Sequence, residues 1–274
     1  MNKPAPILKW AGGKRQLLPK IVPLIPDDYN RYFEPFLGAG AVLFDVLPKR
    51  AVVNDTNSEL INVYFNIKEH PEELISILKW YKSKHTKDFY YRTRNIDRDK
   101  KSFEKMSPVE KAARTIYLNR TCYNGLYRVN RSGCFNTPIG RNTSIQIVNE
   151  DGIKYISNYL QKADIKILNE DYQTALKGIR KTDFVFLDPP YYPTNSDYFL
   201  RYDMNPFGVE AQIQLKKFCD GLTARGVRFI QTNSNCKELC ELYSDYNLIE
   251  VDVRRCINAK PDGRTGTEII ILNY

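Results

Sequence analysis

The sequence predicts a doubly wound α/β fold that carries an inserted, mainly helical domain. In residues 1–57 and 146–274, short apolar runs rich in β-forming residues alternate with helical patterns, which is typical of a largely parallel sheet covered on both faces. Residues 58–145 differ, because they hold long helical patterns and few strand signals. We therefore predict one sheet-containing domain, built from the two outer parts of the chain, and a separate domain at 58–145.

The first part of the chain has the order of a nucleotide-binding βαβ unit. A helical pattern at residues 14–24 precedes a strand pattern at 32–34, which leads into a glycine turn. A helical pattern at 42–47 follows, and a second strand at 51–53 runs into Asp55. Strand, glycine turn, helix, strand and acidic residue is the order in which such units hold a nucleotide beyond their strand ends.

The rest of the chain continues with elements of both kinds. In the insert, helical patterns cover residues 60–68, 72–83 and 108–118, and a segment rich in Asn, Gly, Arg and aromatic residues, typical of a loop or hairpin, covers 123–140. In the last part, strand patterns cover 165–168, 184–187, 227–232 and 269–272, and a helical pattern covers 210–224.

The excess of positive charge lies almost entirely in the insert. The whole chain has 41 Lys and Arg against 32 Asp and Glu, a net charge of +9. Residues 58–145 hold 17 Lys and Arg against 9 Asp and Glu, a net charge of +8. Because a basic face that neutralises phosphates releases their counterions, this distribution predicts a nucleic-acid partner for the insert.

Composition also argues against several classes of protein. No apolar run approaches the ~20 residues that span a bilayer, and residues 1–10 lack the pattern of a signal peptide, so we expect a cytoplasmic protein without a membrane partner. The six cysteines are scattered, which predicts reduced thiols. The two histidines have no paired ligand spacing, so we expect no metal site.

The strand at 184–187 ends in Asp188, Pro189, Pro190 and Tyr191, a set that suits chemistry on a planar amine. Ligands of doubly wound sheets bind beyond the carboxyl ends of strands, and prolines keep the chain extended with their carbonyls free. Two acceptors, the Asp188 carboxylate and the Pro189 carbonyl, favour a pyramidal amine nitrogen with an available lone pair. The Tyr191 face can hold a flipped base by stacking. We predict direct in-line transfer of a sulfonium methyl group to that amine, the structural alternative being a turn with a capping Asp.

A glycine turn near the N-terminus is a second candidate ligand site. Gly38 and Gly40 follow the strand at 32–34 and allow a ligand to approach the backbone closely. Asp55, at the end of the next strand, is placed to accept hydrogen bonds from a cofactor. A dehydrogenase would show a similar turn, but the third glycine of its fingerprint is replaced here by Leu43.

Together these motifs resemble the Dam-type DNA adenine-N6 methyltransferases, which are of the D12 class and the α-group. The matching segments are residues 8–14, 33–40, 53–55 and 188–191, in the family's order, with the insert before the catalytic motif. The resemblance covers nearly the whole chain. It implies a Rossmann-like methyltransferase sheet, S-adenosylmethionine as cofactor, the insert as target-recognition domain, and base flipping at GATC in duplex DNA.

The resemblance also assigns roles to residues. It implies catalytic roles for Asp188, Pro189, Pro190 and Tyr191, and cofactor contacts for Trp10, Lys14, Phe36, Gly38, Gly40, Asp55, Asp171, Tyr172 and Asp188. In a reading hairpin at about 121–141, the resemblance implies that Tyr123 is a wedge, that Asn124 contacts the space vacated by the flipped base, and that Leu126 and Pro138 contact a thymine methyl group. It implies that Arg128 contacts one guanine and Lys9 the other. Asn130 and Arg141 would contact the DNA backbone. Thr121, Cys122 and Asn142 depart from the family pattern, which bears on the outer base pairs.

The motifs leave several alternative activities open. The same acceptors would serve cytosine N4, RNA or a protein glutamine, although the basic insert argues against a protein. A dehydrogenase is a weaker alternative, and a DNA-binding homologue without activity is another.

We expect a monomer on duplex DNA in a bacterial or phage-infected cell, with no obligate protein partner and a cognate restriction endonuclease as an open alternative. The basic stretch at residues 254–264 is expected to touch phosphates.

Overall fold

The computed structural model describes residues 6–141, 145–192, 207–254 and 265–274. The strands are β1 (Tyr32–Glu34), β2 (Arg50–Asn54), β3 (Asp164–Leu168), β4 (Phe184–Leu187), β5 (Arg228–Ser234), β6 (Asn247–Arg254) and β7 (Thr265–Leu272). The helices in the described ranges are α1 (Leu18–Ile21), α2 (Leu43–Val46), α3 (Ser58–Glu69), α4 (Pro71–Lys84), α5 (Lys87–Asn95), α6 (Lys100–Lys105), α7 (Pro108–Thr121), α8 (Glu150–Lys162), α9 (Tyr172–Ala175), α10 (Val209–Ala224) and α11 (Lys237–Leu242). None of these helices is long and apolar enough to cross a membrane.

The strands form one seven-stranded sheet in the order β3-β2-β1-β4-β5-β7-β6, which confirms the predicted α/β class. Strands β1, β2, β4 and β5 pair in parallel, as predicted. Strand β7 runs antiparallel to both β5 and β6. The sequence analysis missed β6 because Glu250 and Asp252 point to solvent between buried Val251 and Val253, and this alternation breaks the apolar run that marks an internal strand.

The chain forms two compact units. The first comprises Met1–Gly13, Gly38–Leu47 and Asp55–Asn169, and the second comprises Lys14–Leu37, Pro48–Asn54 and Glu170–Tyr274. Compactness does not report which surface touches DNA. The functional division into a catalytic domain at 1–57 and 146–274 and a recognition insert at 58–145 therefore remains a prediction.

In the first unit, helix α7 forms the centre and contacts α3, α4 and α5. Its start is encoded locally: the Ser107 side chain accepts from the Glu110 backbone, the Glu110 carboxylate accepts from the Ser107 backbone, and Pro108 occupies the first turn. Ala112, Ala113 and most of the other residues of α7 are buried, so side chains at its end are held rigidly.

In the second unit, the core lies beside strand β4, all four residues of which are buried. Val185 and Leu187 of β4 belong to one hydrophobic cluster with Phe229 of β5 and with Leu215 and Leu222 of α10. Because β1, β4 and β5 are parallel, their carboxyl ends meet at one edge of the sheet.

A buried ion pair fixes the entrance to β4. Asp183 has no exposed surface, and its carboxylate accepts from Arg31 Nη2 at 2.6 Å and Nε at 3.2 Å. The backbone N–H of Arg180 donates to the same carboxylate at 2.8 Å. Burial alone would raise the pKa of Asp183, but the hydrogen bonds and charge of Arg31 and the Arg180 N–H hold it below its ordinary value.

We expect Asp183→Ala to lower the free energy of unfolding by roughly 2–4 kcal/mol, because it leaves the partly buried Arg31 guanidinium without its carboxylate. The contribution of Asp183 should be complete above the pKa of an unfolded Asp and should disappear as the pH falls through the lower pKa of the folded state. Urea unfolding of both proteins between pH 7 and pH 3 measures this. Asp28→Ala, which breaks the exposed pair with Arg228, is the control and should change little; a pH-independent difference for Asp183→Ala would contradict the assignment.

Candidate functional site

In the second unit, β4 delivers Asp188 to the carboxyl edge of the parallel strands. Its Oδ1 accepts hydrogen bonds from Lys14 Nζ at 2.8 Å and from Thr232 Oγ1, on β5, at 2.8 Å. Oδ2 of Asp188 has no hydrogen-bond or ion-pair partner among the described residues. One carboxylate oxygen is therefore fixed by the protein, and the other is available to a ligand.

The charge of Asp188 depends on Lys14. The side chain of Lys14 is 5% exposed and that of Asp188 is 19% exposed, so both charges lie largely out of water. Burial raises the pKa of Asp188, and the charge and hydrogen bond of Lys14 and the hydroxyl of Thr232 oppose the rise. Lys14 thus favours the ionised carboxylate, which is the form that accepts hydrogen bonds.

Buried amide side chains hold the backbone after Asp188. Gln212 of α10 donates to the Pro190 carbonyl at 2.8 Å and accepts from Asn233 Nδ2 at 3.1 Å. Asn233 Oδ1 in turn accepts from the Tyr192 backbone N–H at 3.0 Å. Within the part of the chain that the structure describes, no donor contacts the Pro189 carbonyl, which leaves a second acceptor for a ligand beside Asp188.

The ring of Tyr191 is held at its hydroxyl and on one face. Its O–H donates to Glu268 Oε2, on β7, at 2.6 Å, and Lys14 Nζ lies 4.5 Å from the ring centroid. Burial, together with the negative charges of Asp188 and Glu268, raises the pKa of Tyr191 well above its ordinary value. The phenol therefore stays protonated and neutral.

An aromatic group in the same unit contains two further predicted residues. The ring of Phe36 lies 5.4 Å from that of Tyr172 and meets Phe207 edge-on at 5.8 Å. Asp171 is exposed and caps α9 by accepting from the Gln173 N–H at 2.8 Å. Phe36 and Tyr172 thus offer an apolar wall, whereas the Asp171 carboxylate already has a structural partner.

In the first unit, the turn that contains Gly38 and Gly40 is closely packed. Gly38 and Gly40 have φ values of +51° and +65°, which favour glycine. A Cβ on Gly38 would lie 3.3 Å from Trp10 Cδ1, and one on Gly40 would lie 2.6 Å from Phe44. Asp55 Oδ2 accepts from the Gly38 N–H at 3.0 Å, so this carboxylate supports the turn. The close packing of Trp10 and Phe44 on the turn therefore requires glycine at both positions.

A row of aromatic rings connects Trp10 to the hairpin. The Trp10 and Tyr127 rings stack with centroids 4.9 Å apart and an interplanar angle of 30°, and Tyr127 meets Phe135 edge-on at 5.6 Å. The sequence analysis did not single out Tyr127 or Phe135. Through these ring contacts, the position of the Trp10 side chain depends on the ordered hairpin.

The segment at 121–141 forms the predicted hairpin. Cys122 pairs with Ile139 and Val129 with Phe135 as antiparallel bridges, and the Tyr123 N–H donates to the Pro138 carbonyl at 2.8 Å. Tyr123 is 47% exposed, as a wedge would require. The DNA-contacting roles of the hairpin residues remain predictions.

The other predicted hairpin residues have different surroundings. Arg128 is exposed, and its Nε donates to Asn136 Oδ1 at 2.7 Å, which fixes one edge of the guanidinium group. Asn130 Oδ1 accepts from the N–H groups of Ser132 and Cys134, both at 3.0 Å, so its oxygen holds the turn. Of the remaining residues, Leu126 is half-buried, and Asn124, Pro138 and Arg141 are exposed.

Asn119 at the end of α7 ties Lys9 to the hairpin. Its Oδ1 accepts from the Lys9 N–H at 2.8 Å, and its Nδ2 donates to the carbonyls of Lys9 at 2.7 Å and Gly125 at 3.0 Å. Asn119 is completely buried, while Lys9 is exposed. The backbone of Lys9 and the turn that follows Tyr123 are therefore positioned by one amide group.

The supporting residues that the sequence analysis missed share a weak signal. Thr232, Asn233 and Glu268 are polar residues inside or beside apolar strand patterns, and Gln212 and Asn119 are polar residues on buried helix faces. Buried polar groups are generally hydrogen-bonded. A polar residue in an apolar pattern is therefore expected to have a hydrogen-bond partner, but the pattern does not identify that partner.

Two expectations concern residues of which little or nothing is described. Asn142 and residues 255–264, including most of the basic stretch expected to touch phosphates, lie outside the described residues. Among the residues that are described, no group of three or more His, Cys, Asp or Glu side chains could hold a metal ion.

Comparisons with known proteins agree with these features. The family model of the D12 class N6 adenine-specific DNA methyltransferases matches residues 10–257. The chain is 43% identical to the type II methyltransferase M1.LlaDCHI of Lactococcus lactis subsp. cremoris, over 98% of this chain and 95% of the relative. It is 36% identical to the type II methyltransferase M.MjaIII of Methanocaldococcus jannaschii, over 98% and 99%, and 30% identical to the DNA adenine methylase of Escherichia coli K12, over 100% and 96%. Among solved structures, an rRNA methyltransferase of Streptomyces viridochromogenes has a TM-score of 0.39 at 10% identity, and the match covers 98% of this chain and 90% of that one.

We expect Asn119→Asp to lower the free energy of unfolding by roughly 2–3 kcal/mol, because it removes two donors and places a carboxylate against the carbonyls of Lys9 and Gly125. Thermal melting measures the loss. Asn95→Asp, on the exposed end of α5, is the matched control and should melt like the parent. Equal melting of both variants would show that the amide does not anchor these segments.

Proposed function

The chain belongs to the D12 class of N6 adenine-specific DNA methyltransferases, and on that premise we propose that it methylates adenine N6 within GATC sites of duplex DNA. It is an enzyme that acts on DNA with S-adenosylmethionine as methyl donor. The observation that carries the proposal is the pair of acceptors, Asp188 Oδ2 and the Pro189 carbonyl, beside the ring of Tyr191.

The acceptors account for activation of the amine. An adenine amine is a poor nucleophile because its lone pair is delocalised into the ring. When Asp188 Oδ2 and the Pro189 carbonyl accept its two N–H groups, the nitrogen becomes pyramidal and its lone pair is released from the ring. Tyr191 holds the base by stacking, so positioning and fixed charges provide the catalysis.

The protons and charges balance without a covalent enzyme intermediate. S-adenosylmethionine supplies an electrophilic methyl group whose bonding electrons remain on the departing sulfur. The amine lone pair forms the new N–C bond, and the nitrogen then loses one proton. Asp188 Oδ2 is placed to take this proton, and burial, which raises the pKa of Asp188, favours that transfer.

Each unit has features that fit the cofactor. In the first unit, we assign cofactor contacts to Trp10, Gly38, Gly40 and Asp55, because an indole ring, a glycine backbone and a carboxylate lie together there and offer stacking and hydrogen bonding. In the second unit, we assign them to Lys14, Phe36, Asp171, Tyr172 and Asp188, where an aromatic wall and a carboxylate offer stacking and hydrogen bonding.

The hairpin supports the choice of duplex DNA and GATC. Exposed Tyr123 can fill the space left by a flipped adenine, and Arg128 presents a fork whose Nε is already aimed by Asn136. Such a fork suits the two acceptors of a guanine edge. Lys9, anchored by Asn119, can reach a second guanine. We assign the remaining DNA contacts to Asn124, Leu126, Asn130, Pro138 and Arg141.

The family also narrows the alternatives. An adenine-specific class argues against cytosine N4, RNA, glutamine and hydride chemistry, and the intact acceptors argue against an inactive homologue. Two relatives are named type II methyltransferases, which favours a cellular role beside a restriction endonuclease. We propose a cytoplasmic monomer that needs no protein partner for transfer.

Incubation with methyl-labelled cofactor tests the proposal. A duplex with one GATC site should be labelled at adenine N6, and a matched GTTC duplex should not be labelled. Asp188→Ala should abolish transfer while it retains DNA binding, because the change removes the acceptor and the ion-pair partner of Lys14 but leaves the hairpin residues unchanged. Equal labelling of both duplexes would contradict GATC recognition, and labelling of cytosine would contradict the chemistry.

The decrease of the methylation rate at low pH, the acid limb of the rate profile, should follow the protonation of the Asp188 carboxylate. Because burial raises the pKa of this carboxyl, single-turnover methylation should fall with decreasing pH at a value above the ~3.9 of a free Asp. Thr232→Val removes a hydrogen bond to the ionised form, so the pKa should rise and the limb should move to higher pH. Thr182→Val, an exposed Thr before β4, is the control. A limb that stays in place or moves to lower pH would exclude Asp188 as its source.

A further inference from the structure

We propose that Glu268 is a positioning residue for methyl transfer, whose carboxylate holds the ring of Tyr191 in the orientation that stacks on the target base. The inference rests on the proposed function, because it assumes that Tyr191 carries the base. Glu268 itself need not touch the substrate.

Glu268 lies on β7, the only described strand that pairs antiparallel with one of the parallel strands. In the register of β5 and β7, Glu268 lies opposite Ser234, the last residue of β5. A strand of opposite direction thus places its early residues at the edge where the parallel strands end. The next residues of β7, Ile269 to Leu272, are buried, so the backbone of Glu268 is anchored by the core.

The contact of Glu268 with Tyr191 acts on the ring and not on the backbone. The backbone is already fixed on both sides of Tyr191, by Gln212 at the Pro190 carbonyl and by Asn233 at the Tyr192 N–H. These bonds leave the side-chain torsions of Tyr191 undetermined. A hydrogen bond from the phenol to Glu268 at 2.6 Å, beside a weaker contact with Thr232, restrains them at the far end of the ring.

The charge of Glu268 also suits this duty. A hydrogen bond to a carboxylate is roughly twice as strong as one between neutral groups, so it can resist the displacement of the ring by an entering base. The same charge helps to keep the phenol protonated beside Asp188. Lys14 covers one face of the ring, at 4.5 Å from its centroid, and the tether holds the ring against that cation.

A double-mutant cycle separates positioning from a general contribution to stability. The proteins are the parent, Glu268→Leu, Tyr191→Phe and the double variant, with Glu268→Gln as the conservative variant that keeps an acceptor. Glu250→Leu, an exposed change on β6, is the matched control. The readouts are the single-turnover methylation rate at saturating DNA and cofactor, the cofactor Kd, and the fluorescence of duplexes that carry 2-aminopurine at the target position.

If Glu268 acts through the phenol, Glu268→Leu, Tyr191→Phe and the double variant should each lose about tenfold in rate, because each breaks the same hydrogen bond. Glu268→Gln should retain most of the rate. The cofactor Kd should change less than about twofold, since Asp188 keeps its own hydrogen bonds from Lys14 and Thr232 in these variants. The 2-aminopurine signal should increase in all three deficient variants, because a loosely held ring quenches a stacked base less.

Other outcomes would overturn the inference. Multiplicative losses in the double variant would show that Glu268 acts independently of the phenol. A parent-like rate for Glu268→Leu would show that the tether is not needed, and a loss equal to that of Glu250→Leu would show a nonspecific effect. Failure of the proposed function appears separately, as absent transfer by the parent protein to GATC, while the fluorescence cycle still reports whether Glu268 orders the ring on the base.

Discussion

The ion pair between Lys14 and Asp188 is the interaction on which the candidate active site depends. A carboxylate at the end of a buried strand loses hydration, and it would become protonated without a compensating charge. Lys14 and Thr232 restore the ionised form by contacting the same oxygen. The burial of two charges has a desolvation cost, and it leaves an ionised carboxylate whose second oxygen has no hydrogen-bond partner within the described residues.

The polar groups around Asp188 form a preorganised site. The amides of Gln212 and Asn233 hold the peptide groups on both sides of Tyr191, and they come from a helix and a strand whose apolar faces lie in the core. Rigid secondary elements therefore carry the supporting groups, which reduces the reorganisation required when a base arrives. The neutral phenol of Tyr191, held beside Glu268, adds a flat surface to the two acceptors.

In the first unit, buried hydrogen bonds likewise hold the backbone of the residues that we assign to DNA recognition. Helix α7 is buried on most of its surface, and its last turn presents Asn119, whose amide joins the backbone of Lys9 to the hairpin. The stacking of Trp10 on Tyr127 adds an aromatic connection between the N-terminal segment and the hairpin. The exposed side chains that we assign to DNA thus project from a backbone that is fixed by buried hydrogen bonds, so their spacing is set before binding.

The sequence by itself determined the α/β class, the parallel strands, the hairpin and the position of Asp188 at a strand end, because apolar periodicity and turn residues are local signals. It also carried the motifs of an adenine-specific DNA methyltransferase. Tertiary structure alone decided that Lys14 and Thr232 share one oxygen of Asp188, and that an antiparallel strand brings Glu268 to Tyr191. These contacts join residues that are far apart in sequence, and a local pattern contains no information about which distant side chain will satisfy a buried polar group.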